Sequence, residues 1–375
     1  MDAALKRLVE QVRGAQASRS PLHIRGSGSK DFYGGAIHGD PLDMSGLSGI
    51  CSYEPTEMVI TARAGTPLRE VEAALAEKGQ CLAFEPPRYG NGGTMGGMVA
   101  AGLAGPARAA VGGLRDFVLG VTLLDGRGEL LQFGGQVMKN VAGYDVSRVL
   151  AGSLGVLGVI AEVSLKVPPL AAARQTLEFT LDQKTAIEQV QQWTTQAVPA
   201  RASAWQRGRL HLRLEGAQAA VESNAQRLAA SHGGSVLEAA AAEVFWTKLR
   251  DQKNAYFGAP PHRPRAGHAA DDTPGPAMTL WRLAVPPAHP PLALEGETLV
   301  EWGGGQRWVY SDAPASRIRE VAARAGGHAT AFRGAMDRSD VFAPLSPPLE
   351  RIHRNLKAAF DPAGIFNQGR LYPWL

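Results

Sequence analysis

Leu5, Leu8, Val9 and Val12 recur at helical spacing, so the chain opens on an amphipathic helix that Ser20-Pro21 brings to a close. Leu22 to Arg25 then reads as a short strand that delivers the loop Gly26 to Gly35, and Met58 to Ala64 is again β-like. Thr66 predicts a helix cap, with Pro67 at the first helical position and Gly79 just past the end; Leu68, Val71, Ala74 and Leu75 supply its buried stripe. Cys81 to Phe84 predicts a further strand closed by Pro86-Pro87. Thr94 caps a short helix running to about Ala101, stopped by Gly102. Val118 to Leu124 and Glu129 to Phe133 flank Asp125-Gly126-Arg127-Gly128 as a hairpin. Asp145 caps a helix over Val146 to Leu150, and Val159 to Val167 alternates with period two as a strand.

Beyond Leu170 the texture changes. Longer helical patterns (Ala186 to Gln196, Ala217 to Ser231, Glu238 to Arg250) separate strand-like stretches near Ser203 to Leu214, Thr279 to Ala284 and Arg307 to Tyr310. Ala259 to Pro276 and Pro286 to Pro291 are proline-rich, lack apolar periodicity and predict exposed loops, and a last helix spans Leu349 to Phe360. The expected organisation is α+β throughout: a first domain over 1–168, a second over 170–335, and a C-terminal segment over 341–375. No internal repeat of fixed period is visible.

At 375 residues and 45% hydrophobic content the chain can bury two cores. A formal charge of +4, with Lys and Arg scattered among Asp and Glu, argues against nucleic acid as a partner and suits small anionic ligands. Cys51 and Cys81 are the only cysteines, too few for a disulfide framework or an iron-sulfur cluster. The nine histidines are dispersed, none pairing with another at metal-ligand spacing, so no metal is expected and most should be solvated. Neither a signal peptide nor an apolar run of about 18 residues stands out, which predicts a cytoplasmic protein with at most peripheral attachment to a membrane.

Glycine carries the chemistry. Eighteen of the 44 glycines fall between Gly90 and Gly158, interleaved with apolar runs that no flexible linker contains. Each costs about 0.5–1 kcal/mol relative to alanine in a regular element, so such density persists where backbone must approach something closely. Arg25-Gly26-Ser27-Gly28-Ser29-Lys30 offers successive N–H groups and hydroxyls to a phosphate, without the Gly-Lys-Ser/Thr of a Walker loop. Asp31 occupies the place where a dinucleotide fingerprint has its third glycine. Gly92-Gly93-Thr94 opens the helix containing Gly97, so one diphosphate could be gripped from both loops. Gly152-Ser153-Leu154-Gly155 turns into Gly158-Val159-Ile160, bare enough to lie against a flat ring, and Lys139 to Asp145 supplies a cation, an amide and a capping carboxylate.

Taken in order, these pieces resemble the FAD-binding domain of the vanillyl-alcohol oxidase and para-cresol methylhydroxylase (PCMH) superfamily, joined by Ala64-Gly65-Thr66-Pro67-Leu68, Gly113 to Gly120 and the closing Phe360-Asp361-Pro362-Ala363-Gly364-Ile365-Phe366-Asn367. Ala142-Gly143-Tyr144-Asp145 and Glu301-Trp302-Gly303-Gly304-Gly305-Gln306-Arg307-Trp308 narrow the likeness to the FAD-binding E subunits of bacterial glycolate oxidases. The resemblance implies a two-part PCMH-type domain, a smaller ferredoxin-like cap domain, and a C-terminal segment that returns to contact FAD. It implies diphosphate on Gly26 to Lys30 and Gly92 to Thr94, and flavin along Gly97, Gly152, Ser153 and Gly155. Adenine would lie against Gly158, Val159 and Ile160, with Asn367 near the ring edge. It implies partners too: a larger FAD-containing subunit and an iron-sulfur subunit. Since no histidine occupies Gly26 to Gly35, where some relatives bind flavin covalently, the FAD is expected to be non-covalent.

The metal-binding histidine cluster of larger 2-hydroxy-acid dehydrogenases in this superfamily is absent from the sequence. Arg307, His328 and Arg333 are therefore the catalytic candidates, each equally readable as surface charge on a strand. Three functions fit: a flavoprotein subunit of a glycolate-oxidising complex, a stand-alone FAD dehydrogenase of a small hydroxy acid such as D-lactate, and a scaffolding subunit with a vestigial nucleotide site.

Overall fold

The computed structural model describes residues 2–90, 92–135, 145–258, 278–334 and 338–375. They fall into two compact units: one of Met1–Ala104, Gly112–Leu170 and Pro344–Leu375, the other of Gly105–Val111 and Ala171–Ala343. Gly105–Val111 thus departs from the first domain expected over 1–168 and belongs to the second unit.

The first unit begins with α1 (Ala3–Ser18), capped by Asp2, whose carboxylate accepts from Leu5 N at 2.9 Å. β1 (Leu22–Arg25) and β2 (Asp40–Asp43) pair in parallel, and Phe366 bridges to Leu22 on the other side. A second layer is a five-stranded antiparallel sheet. It contains β3 (Ile50–Glu54), β4 (Val59–Arg63), β5 (Val118–Leu124), β6 (Leu130–Gly134) and β7 (Val159–Lys166), in the order β3-β4-β7-β5-β6. β7 is central, and Val159, Val163 and Leu165 on it are fully buried. The other helices of this unit are α2 (Leu68–Ala76), α3 (Met95–Ala101), α5 (Val146–Val149) and α10 (Pro347–Phe360); α4 (Arg108–Val111) lies between α3 and β5 in sequence but in the other unit.

Two local expectations change. Thr66 does not cap α2; its hydroxyl is held by Gly49, accepting from the amide at 2.9 Å and donating to the carbonyl at 3.1 Å, and no side chain caps that helix. Cys81 to Phe84 forms no strand, only a bridge beside it between Gln80 and Pro169. Thr94, by contrast, caps α3 as expected, and Gly102 ends it at φ +63°.

The second unit is built on one eight-stranded antiparallel sheet. Its first half runs β8 (Ala173–Thr180), α6 (Gln183–Thr195), β9 (Ala200–Gln206), β10 (Arg209–Gly216), α7 (Gln218–His232) and β11 (Ser235–Val236). The spatial order β11-β8-β10-β9 makes this a ferredoxin-like βαββαβ unit. After α8 (Ala239–Arg250) the second half runs β12 (Thr279–Ala284), β13 (Thr298–Glu301), β14 (Gln306–Ser311), α9 (Ala315–Arg324) and β15 (His328–Arg333), in the order β13-β14-β12-β15. That is the same topology with the first helix replaced by the loop after β12. The halves join through their equivalent strands, β9 and β13, which pair antiparallel at Val300 with Trp205 and Glu301 with Ala204. A duplication without sequence periodicity therefore underlies this unit. Trp193, Phe179 and Leu212 centre one core; Trp281, Val309 and Ile318 centre the other.

Candidate functional site

The site lies wholly in the first unit, as a cleft of about 780 Å³ open to solvent. Arg25, Gly26, Ser27, Gly28, Ser29, Lys30, Thr94, Gly97, Gly155, Gly158, Ile160 and Asn367 all line it. Gly92, Gly93, Gly152, Ser153 and Val159 are not among its lining residues, and Lys139 to Tyr144 lies outside the described residues.

One wall is the loop after β1. Arg25 pairs with Asp31 at 3.2 Å, and Gly28, at φ +70°, sits where a Cβ would strike the Arg25 guanidinium at 2.5 Å. Gly26 abuts Thr94, and a Cβ there would overlap the Thr94 hydroxyl. Ser27 Oγ donates to Ser29 Oγ at 3.2 Å and reaches Gly92 O at 3.5 Å, tying the two glycine loops together. Gly93 lets Lys30 approach, since a Cβ would meet Nζ at 3.1 Å. Lys30 is half-buried, faces the Tyr89 ring at 5.9 Å, and has no carboxylate partner among the described residues. Burial lowers its ammonium to about 8.

The opposite wall is the turn from Gly152 to Ile160. Gly152 N donates to Val99 O at 3.0 Å and Leu154 N to Ala100 O at 2.8 Å, seating this turn on the end of α3, and Leu154 takes the left-handed φ of +50°. Asn367, expected at a ring edge, joins the two walls with its side chain, accepting from Ile24 N at 2.8 Å and donating to Leu154 O at 2.6 Å. Behind it, Lys357 Nζ donates to Val156 O and Phe366 O, both at 2.8 Å, and to Asp361 at 2.7 Å. Asp361 in turn accepts from Ile365 N and Phe366 N. The closing motif Phe360 to Asn367 is thus a brace for the cleft.

His23, Met44 and Arg370 also line the cleft, and sequence reasoning assigned them nothing there. Arg370 is buried and donates to the carbonyls of Tyr33 at 2.5 Å and of Gly35, holding the outer part of the loop. An Arg directly after a Gly turn gave no warning of this.

Whether the cleft fits a flavin nucleotide can be tested on its glycines. Most are accounted for by protein packing: a Cβ on Gly96 would meet Ala64 Cβ at 2.6 Å, and one on Gly155 would meet Asn367 Nδ2 at 2.6 Å. Gly97 is not. It has ordinary helical φ, and its Cβ would touch only the Thr94 hydroxyl, at 3.0 Å, so what it keeps clear is the cleft itself. A bare helix face, the Lys30 ammonium and the Ser27 and Ser29 hydroxyls together suit a planar ring carrying a diphosphate.

The three catalytic candidates belong to the second unit. Arg307 is buried on β14 and donates to Gly304 O at 2.5 Å and His289 O at 2.8 Å. Arg333 donates to Gln252 Oε1 at 3.1 Å. His328, on β15, is held below the usual imidazole range by burial and by Arg282.

Residues 5–134 match the family model of the FAD binding domain. The alkyldihydroxyacetonephosphate synthase structure superposes with a TM-score of 0.67 over 96% of this chain and 75% of that one, at 13% identity, which shows a shared fold. The glycolate oxidase subunit GlcD of Bacillus subtilis is 29% identical over 42% of this chain and 34% of its own length. A D-lactate dehydrogenase of Archaeoglobus fulgidus is 28% identical over 42% and 35%. The glycolate oxidase subunit GlcE of Escherichia coli K12 is 44% identical across 97% of this chain and 96% of its own. With that end-to-end identity and a PCMH-type cleft, the chain belongs to the GlcE family of glycolate oxidase subunits, FAD-dependent oxidoreductases.

Proposed function

We propose that this chain carries FAD non-covalently within a multi-subunit complex that oxidises glycolate to glyoxylate, and that it relays electrons between a larger flavoprotein subunit and an iron-sulfur subunit. The observation that carries the cofactor assignment is the cleft wall at Gly97 and Lys30, one residue cleared of bulk and one cation left without a carboxylate partner among the described residues. Gly26 to Lys30 and Gly92 to Thr94 would hold the diphosphate, with Lys30 supplying charge and Ser27 and Ser29 hydroxyl donors. Gly97, Gly152, Ser153 and Gly155 would flank the ring, and Gly158, Val159 and Ile160 the adenine. Asn367, itself part of the lining, and Lys357 behind it fix the wall's carbonyls.

Bound flavin supplies two-electron acceptance from the substrate and one-electron delivery to a redox partner. Two cysteines cannot ligate a cluster, so an iron-sulfur acceptor must come from another chain. With Arg307 committed to main-chain carbonyls, His328 and Arg333 are the residues of the second unit to test for contact with substrate. No helix among the described residues is long and apolar enough to cross a membrane.

Purified alone, the chain should be yellow, with about one FAD per polypeptide released into the supernatant on acid precipitation. A colourless protein that takes up no added FAD would sink this reading. Coexpression with its partner subunits should yield glycolate-dependent dye reduction that the isolated chain lacks.

A further inference from the structure

One group in the cleft is left over by this assignment. His23, on β1, lines the cleft and is 8% exposed, and its imidazole hydrogen-bonds to no described residue. With no partner among those residues, its ring nitrogens keep some access to solvent in the cleft, where an arriving anion could meet them. The charged groups around it are Arg25 on the same strand, Lys30 and Asp31 on the following loop, and Arg370 from the C-terminal segment. Three cations face one carboxylate, and that carboxylate is already paired with Arg25. Burial is the largest influence on the imidazole and disfavours its proton; the Asp31 carboxylate opposes this, Arg370 and Arg25 reinforce it, and His23 is held below the usual imidazole range in the apoprotein.

We propose that His23 is a proton-linked contact of the bound flavin nucleotide: its imidazole takes up a proton when the diphosphate enters the cleft, so FAD binds more tightly in mildly acidic solution than at neutrality. The inference rests on the FAD assignment above. A diphosphate brings two negative charges into a space where three cations meet one carboxylate, which cancels the excess positive charge around the ring and favours its protonation. Protonation also gives the imidazole two N–H donors in place of one. The sign follows: the pKa of His23 is higher with FAD than without, so affinity is greatest below both values and falls as pH rises between them. A rise of about one pKa unit corresponds to about tenfold in affinity. Lys30, lowered to about 8, is mostly charged below about pH 7, so its own proton uptake is small at about pH 6.

The test is titration calorimetry of FAD into apoprotein at about pH 6 in two buffers of different ionisation enthalpy, with affinity followed over about pH 5.5–7. The wild-type chain should take up a fraction of a proton per FAD and lose affinity as pH rises. His23→Gln and His23→Asn should bind FAD with no proton uptake and a flat profile. Wild-type binding without proton uptake overturns the proposal, and so does uptake that survives in both variants. Failure of the wild-type chain to bind FAD at any pH would defeat the cofactor assignment as well, so the two failures are distinguishable.

Discussion

The two walls of the cleft are built on opposite principles. The loop from Arg25 to Asp31 is solvent-facing and charged, held by short-range links such as the Arg25–Asp31 pair at 3.2 Å, Asp31 N to Gly28 O at 3.1 Å and Ser27 to Ser29 at 3.2 Å. The turn from Leu154 to Ile160 is buried, and Asn367, Lys357 and α3 bond its carbonyls and amides. One wall leaves donors for an arriving anion; the other is completed by the chain's own C-terminus. Damage should accordingly cost ligand affinity on the first wall and folding stability on the second.

The largest effect is expected where the completed wall is broken. Asp361→Ala strands the buried Lys357 ammonium and frees two main-chain amides, a loss of about 3–5 kcal/mol that calorimetry or denaturant unfolding should detect in the first unit. An unchanged melting profile would contradict the brace. Next comes Gly97→Ala: alanine is the better helix former, so apoprotein stability should hold or rise, while the methyl group crowds the ring and weakens FAD binding by about 1–3 kcal/mol. Parallel loss of stability and affinity would blur the contrast between the walls.

Lys30→Met should weaken FAD binding about tenfold and remove a pH dependence. The ammonium titrates near 8 in the apoprotein and attracts the diphosphate only while charged, so wild-type affinity should decline as pH rises through about 8; Lys30→Arg should stay flat there. Fluorescence titration at about pH 7 and pH 9.5 would decide it. The smallest effect belongs to the joint between the walls: Thr94→Ala removes the cap on α3, about 1 kcal/mol by thermal melting.

Legibility in the sequence followed how local each cause is. The cap-to-stop run Thr94 to Gly102 and the hairpin around Asp125 depend on residues within a few positions, and the structure places both where the pattern does. The glycine loops were legible as a cleft because glycine so dense, set among apolar runs, persists where main chain closes on itself or on a ligand. The bonds of Asn367 to Ile24 and Leu154 were not legible, since those partners lie 343 and 213 residues away. Arg370 and His23 were missed for the same reason: an isolated Arg or His reads as solvated until distant segments enclose it. Gly105–Val111 gave no local sign of joining the second unit, where Trp302 Nε1 donates to Gly105 O at 2.9 Å and Arg108 lies over the indole at 4.6 Å. The duplicated βαββαβ topology escaped because its halves share strand order and not spacing.

Joining two such halves through their second strands has an outcome for association. Both outer margins of the eight-stranded sheet then fall to fourth strands, and among the described residues neither offers a long bare ladder. β11 is a stub of two residues, and on the far side Ala331 N of β15 already donates to Val341 O at 2.9 Å. Unsatisfied ladders are what recruit foreign polypeptide by strand addition. A subunit destined for a larger assembly thereby denies its neighbours the least selective means of adhesion, and recognition passes to side chains, where it can be specific.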